Sequence, residues 1–131
     1  NPVTRILELR QMIMKFHERG IRVVMDMVYN HMMSTVNMDN IVPGYYFRSD
    51  YLGRYTNGSG CGNELASERP MVRKFIIDSC LHWIKDYKID GIRFDLMELL
   101  DIDTTKEIVK KTTKLDKNFL IYGEPWKVVH H

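Results

Sequence analysis

Apolar residues recur at helical spacing at Ile6, Leu9, Ile13 and Phe16, and Gly20 follows where a helix over residues 3–19 needs a left-handed cap. The period then changes. Ile21-Arg-Val-Val-Met-Asp-Met-Val-Tyr29 is an almost unbroken apolar run rich in Val, which predicts a strand buried on both faces of a parallel sheet, interrupted by Asp26. Residues 32–66 lose periodicity and collect Asn, Ser, Gly and Tyr, so a long loop is expected there, of the kind that is usually functional or disordered. Pro70 opens the strongest helical stripe, through Val72, Phe75, Ile76, Cys80, Trp83, Ile84 and Tyr87. Asp90-Gly91 turns the chain into a second strand, Ile92-Arg-Phe-Asp-Leu96. Thr104 to Leu115, with Ile108, Val109 and Leu115, reads as a third helix, and Phe119-Leu-Ile-Tyr122 opens a third strand that ends at Gly123-Glu124-Pro125-Trp126.

Helices alternating with short buried strands predict βα units, an α/β fold and a parallel sheet with right-handed crossovers. The 131 residues, 44% hydrophobic and 27% charged, suit one packed domain over residues 1–129. They are too few for a whole (β/α)8 TIM barrel, which needs about 250 residues. The 19 basic and 17 acidic residues are mixed along the chain, with no block that would bind nucleic acid, and no apolar run is long enough for a membrane span. Cys61 and Cys80 have neither metal nor redox spacing and read as reduced thiols, which favours the cytoplasm slightly over a secreted setting without fixing the compartment. The N-terminus lacks the pattern of a signal peptide, and His130-His131 reads as the remnant of a purification tag.

Three acids stand at or near the C-terminal ends of the three predicted strands: Asp26, Asp95 and Glu124. In α/β barrels active sites are built on that rim. The interval 124 − 95 = 29 residues fits one strand–helix–strand unit, so Asp95 and Glu124 are expected on adjacent strands, about 4.8 Å apart at the backbone. A retaining glycosidase needs its carboxyls about 5 to 5.5 Å apart, a demand that adjacent strands can meet. The interval 95 − 26 = 69 requires an inserted loop, which residues 32–66 supply, and Asp26 then belongs to the next strand over.

Each residue also has a plainer role, as a helix cap, an ion-pair partner or a packing group. Arg93 precedes Asp95 by two residues and so shares its strand face, where its charge would keep a nucleophilic Asp95 ionised. Glu124, as an acid, needs the opposite, with Tyr122 and Trp126 as candidate low-polarity neighbours. His31 lies just past the first strand, within reach of a sugar hydroxyl. Tyr45, Tyr46, Phe47, Tyr51 and Tyr55 either stack on sugar rings or pin the long loop to the body of the fold.

With these residues in order, the chain resembles a known family. Asp26-Met-Val-Tyr-Asn-His31, Gly91-Ile-Arg-Phe-Asp95 and Gly123-Glu124 resemble the first three of the four short regions that mark the α-amylase superfamily. The stretch from Asn57 to Met71, Asp95-Leu-Met97 and Tyr122-Gly-Glu-Pro-Trp126 are similar to the type I pullulanases, which cut α-1,6 branch linkages. The resemblance implies a central piece of a (β/α)8 barrel acting on branched α-glucan, with Asp95 as nucleophile and Glu124 as general acid/base. It further implies that Arg93 positions Asp95, that His31 contacts the sugar, and that Asp26, Asn30 and Trp126 brace or line the site. No cofactor is required, although Asn30 matches a position that binds calcium in many amylases. The family's fourth region, a His-Asp pair on a later strand, has no counterpart in the chain. Lys127-Val-Val stands where small residues are expected, and Glu98 and Leu100 replace a small and a polar residue.

Three other readings stay open at this level. An isoamylase, glycogen-debranching enzyme or glucanotransferase would share the same motifs. The chain by itself would be an inert piece that at most binds glucan and self-associates through open sheet edges. A metal-dependent hydrolase using Asp26, His31, Asp95 and Glu124 lacks compact ligand spacing.

Overall fold

The computed structural model describes residues 1–126, so the tag reading at His130-His131, the departure at Lys127-Val-Val and the domain limit at residue 129 lie outside the described residues. In chain order the elements are α1 (Pro2–Glu18), β1 (Val24–Met27), a short α2 (Val36–Asp39), α3 (Pro70–Tyr87), β2 (Gly91–Phe94), a 3-10 turn (Met97–Leu99), α4 (Ile102–Leu115) and β3 (Leu120–Gly123). The three strands form one parallel sheet in the order β1-β2-β3. The fold is the expected α/β arrangement.

α1 ends as its sequence predicts. Gly20 has φ +72°, its N–H reaches the His17 carbonyl at 2.9 Å, and the Ile21 N–H reaches Phe16 at 3.0 Å. These two bonds make a Schellman cap, which a residue with a Cβ closes less readily. At the same end of the sheet Asp90 joins three segments. Its carboxylate accepts from the Val23 N–H at 2.8 Å and pairs with His17 at 2.7 Å, while its carbonyl accepts from Leu120 at 2.9 Å.

Alternation along the strands separates two faces. Met25, Met27, Ile92, Phe94 and Ile121 join the core with Val72, Ile76, Cys80 and Ile84 of α3 and Ile108 of α4. The opposite face carries Asp26, Arg93 and Tyr122 in one row of the parallel register, and this row faces away from the core.

The structure corrects the sequence reading in three places. β1 has four residues rather than nine and is only half buried, because pairing to β2 on one side orders only Val24–Met27. Residues 32–66 are ordered rather than structureless: they contain α2 and antiparallel bridges between Phe47 and Leu65 and between Ser49 and Tyr55. The inner stripe of α4 is Thr104, Ile108 and Thr112, whereas Val109 and Leu115 are exposed. Each buried threonine satisfies its hydroxyl on a carbonyl, Thr104 on Ser67 and Thr112 on Ile108, both at 2.8 Å. A period based on apolar residues misses a stripe of this kind.

α4 is held at its start by Asp101, which caps the Thr104 N–H at 3.0 Å, accepts from the Ser67 hydroxyl at 2.7 Å and pairs with Arg73 at 3.0 Å. Burial alone would raise this carboxyl, but the Thr104 and Ser67 bonds and the Arg73 charge outweigh it and hold Asp101 down at about 2. A depressed carboxylate contributes stability above its unfolded value and loses that contribution as pH falls toward its folded value. Asp101→Ala is therefore expected to cost about 1–2 kcal/mol at pH 7. In urea unfolding, the gap between wild type and variant should shrink as pH falls from about 4 toward 2; a gap independent of pH would contradict this role.

Candidate active site at the strand ends

The register sets the site. Asp26, Arg93 and Tyr122 are direct neighbours across the sheet, and Phe94 pairs with Gly123, so Asp95 and Glu124 are the next residues out on adjacent parallel strands. The Asp95 N–H still bonds the Met27 carbonyl, and the Glu124 N–H the Phe94 carbonyl, each at 3.0 Å. Both acids therefore leave the sheet from fixed backbone, on the face of Arg93 rather than that of the core.

Arg93 does not do what its spacing suggested. One guanidinium nitrogen reaches both carboxylate oxygens of Asp26, at 2.7 and 2.9 Å, and the other reaches Glu124 Oε1 at 2.6 Å. The hydrogen bonds that Arg93 donates to Asp26, opposed by burial and joined by Glu124, raise its guanidinium above the ordinary value. Asp26 is 61% exposed, so the ion pair adds little stability. Its consequence is geometric: Asp26 anchors the guanidinium that holds Glu124, across three strands. Tyr122 and Trp126, the low-polarity neighbours expected for Glu124, are each 52% exposed.

Asp95 is held instead by Asn30. The Asn30 amide nitrogen donates to the Asp95 carbonyl at 2.8 Å and to its Oδ2 at 3.0 Å, and Asn30 Oδ1 lies 2.6 Å from His31 Nδ1. Asn30 is almost fully buried. The long loop keeps it there, because the Asn30 carbonyl accepts from Leu65 at 2.9 Å and the Asn63 side chain bonds both the N–H and the carbonyl of Met32, at 3.0 and 2.7 Å. Arg48 ties the loop to the turn after β2 through the Leu99 carbonyl, at 2.7 Å. Sequence reasoning missed Asn63 and Arg48, as single polar residues in an aperiodic loop give no signal.

The loop aromatics divide. Phe47 is fully buried against Tyr55 and pins the loop, Tyr45 receives the Arg69 guanidinium over its ring at 5.5 Å, and Tyr51 is almost wholly exposed. Both ends of the Asn30 amide are engaged within the protein, at Asp95 and at His31. Among the described residues no group of three His, Cys, Asp or Glu side chains is arranged to hold a metal ion.

Glu124 is also fixed from the turn after β2. Leu96 takes φ +43°, a left-handed conformation that side chains disfavour, and its N–H points to Glu124 Oε2 at 3.3 Å. The Met97 N–H bonds the Glu124 carbonyl at 3.0 Å. Strained residues of this kind cluster at functional sites.

No family model matches the chain. The pullulanase of Bacillus subtilis (strain 168) is 47% identical to it over 128 residues, covering 96% of this chain and 18% of that protein. The chain is homologous to the pullulanases over nearly its whole length. The crystal structure of the pullulanase from Paenibacillus barengoltzii in complex with maltohexaose and α-cyclodextrin superposes with a TM-score of 0.95 at 47% identity, over 99% of this chain and 21% of that one. Isoamylase 3, chloroplastic, of Oryza sativa subsp. japonica is 41% identical over 110 residues, 76% of this chain and 14% of that protein. The chain thus spans between 14% and 21% of the length of these proteins.

In this pullulanase-like sheet Gly123 is a packing requirement. A Cβ there would lie 2.7 Å from the Met97 side chain and from the Phe94 carbonyl, in the contact that seats the turn beneath Glu124. Gly123→Ala is expected to destabilise by about 1–3 kcal/mol, read from the urea midpoint; an unchanged midpoint would show that the turn yields freely.

Proposed function

We propose that this chain supplies the nucleophile and the acid/base of a retaining hydrolase for α-1,6-glucosidic linkages in pullulan and branched α-glucans, built as a (β/α)8 barrel. The observation that carries the proposal is the placement of Asp95 and Glu124 at adjacent parallel strand ends, each held by its own donors, in a chain 47% identical to a pullulanase. In the first step Glu124 gives its proton to the glycosidic oxygen while Asp95 attacks the anomeric carbon, forming a covalent glucosyl-enzyme. In the second step Glu124 accepts a proton from water, the water attacks the anomeric carbon, and the bond to Asp95 breaks with the α configuration retained. Arg93 keeps Glu124 over the cleft, and His31 and Trp126 line the place of the sugar. An α-glucan substrate is supported by the pullulanase of Paenibacillus barengoltzii, which is solved with maltohexaose and α-cyclodextrin.

The similarity to a plant isoamylase favours a second reading, a glycogen-debranching or glucanotransferase activity on the same two carboxylates. Among the described residues, β1 and β3 each have one unpaired edge, and nothing packs over the row of Asp26, Arg93 and Tyr122. The isolated 131-residue chain is therefore expected to self-associate and to hydrolyse glucan negligibly.

In the whole protein, Asp95→Asn and Glu124→Gln are each expected to lower pullulan hydrolysis by at least about 10³-fold, as removal of a covalent nucleophile or its acid does. Near-normal turnover by Asp95→Asn would overturn the assignment. Faster release of reducing ends from glycogen than from pullulan would select the isoamylase reading. Activity is expected to be unchanged by a chelator, and its loss would reveal a metal requirement.

A further inference from the structure

Asn30 joins the two groups that flank it in a way that fixes a proton. The Asp95 carbonyl and Asp95 Oδ2 are both acceptors, so the atom of Asn30 facing them, at 2.8 and 3.0 Å, is its NH2 group. The amide oxygen therefore faces His31 Nδ1, at 2.6 Å. Two acceptors do not bond, so Nδ1 carries the hydrogen, and in the neutral ring the lone pair lies on Nε2 at the opposite edge. Asn30 cannot turn over without setting its oxygen against two oxygens of Asp95. It is 1% exposed, and the Leu65 N–H fixes its backbone.

We propose that Asn30 is a positioning residue that couples Asp95 to His31: it orients the Asp95 carboxylate and locks neutral His31 as the Nδ1–H tautomer. His31 is half buried, and its Nε2 then offers an acceptor. The glucan hydroxyl it meets donates its hydrogen to His31 rather than receiving one. This rests on the proposed reaction for its functional part, while the tautomer itself rests on geometry alone.

The test is nitrogen NMR of the whole protein labelled with 15N-histidine, at a pH where the ring is neutral. The expected spectrum gives His31 a protonated Nδ1 and an unprotonated Nε2; a protonated Nε2 overturns the proposal without reference to activity. Two variants separate the halves of the coupling. Asn30→Asp keeps an oxygen toward His31 but turns a negative charge on Asp95. It should retain the tautomer yet lose about 10²-fold in kcat with KM changed far less, as misplacement of a reacting group does. Asn30→Leu removes both bonds and should shift His31 toward Nε2–H. A kcat for Asn30→Asp within about two-fold of wild type, in a variant folded by near-UV circular dichroism, would overturn the positioning role. Should neither variant fold, the wild-type spectrum decides by itself. Turnover by Asp95→Asn would sink the proposed reaction and leave the tautomer assignment standing, so the two failures are distinguishable.

Discussion

Four residues of parallel pairing on each side of β2 are the constraint on which the rest depends. That register sets Asp26, Arg93 and Tyr122 in one row and lets Asp95 and Glu124 leave the sheet one residue beyond the last pair. A slip of one residue on any strand would turn its acid toward α3 and α4, because alternate side chains face opposite sides. Fully buried Ile92 and Phe94 oppose that slip, since it would carry them from the core to the bare face. Packing on one side of the sheet thus fixes which residues stand on the other.

The two carboxylates are held by different means. Asp95 receives a neutral donor, Asn30, from a loop that is itself fastened by Asn63 and Arg48. Glu124 receives a cation and a backbone N–H, from Arg93 and Leu96. The Arg93 contact is shared with Asp26, so the guanidinium works as a strut between strands rather than as a private partner of its sequence neighbour. The left-handed backbone at Leu96 belongs to the same arrangement, at the residue whose N–H points to the acid.

Much of this was legible in the sequence, and the failures have physical causes. The order of helices and strands, the cap at Gly20 and the strand-end positions of Asp95 and Glu124 follow from periodicity and interval alone. The partner of Arg93 did not, because an i, i+2 relation fixes a shared face but not which cross-strand carboxylate a long side chain will reach. The inner face of α4 was hidden because its threonines bury methyl groups while satisfying hydroxyls on carbonyls. The order within residues 32–66 was hidden because it rests on scattered polar contacts rather than a period. Asn30 was recognised as a motif position, yet its role required seeing Asp95 and His31 on either side of one amide.

In the proposed reaction Asp95 forms the covalent bond and Glu124 moves the proton. This assignment is tested most directly by trapping the glycosyl-enzyme with a slow fluoroglucoside on the whole protein and mapping the adduct by peptide mass spectrometry. A single fluoroglucosyl group is expected on the peptide containing Asp95, at its carboxylate. An adduct on Glu124, or hydrolysis that yields inverted β-anomer with no adduct at all, would contradict it.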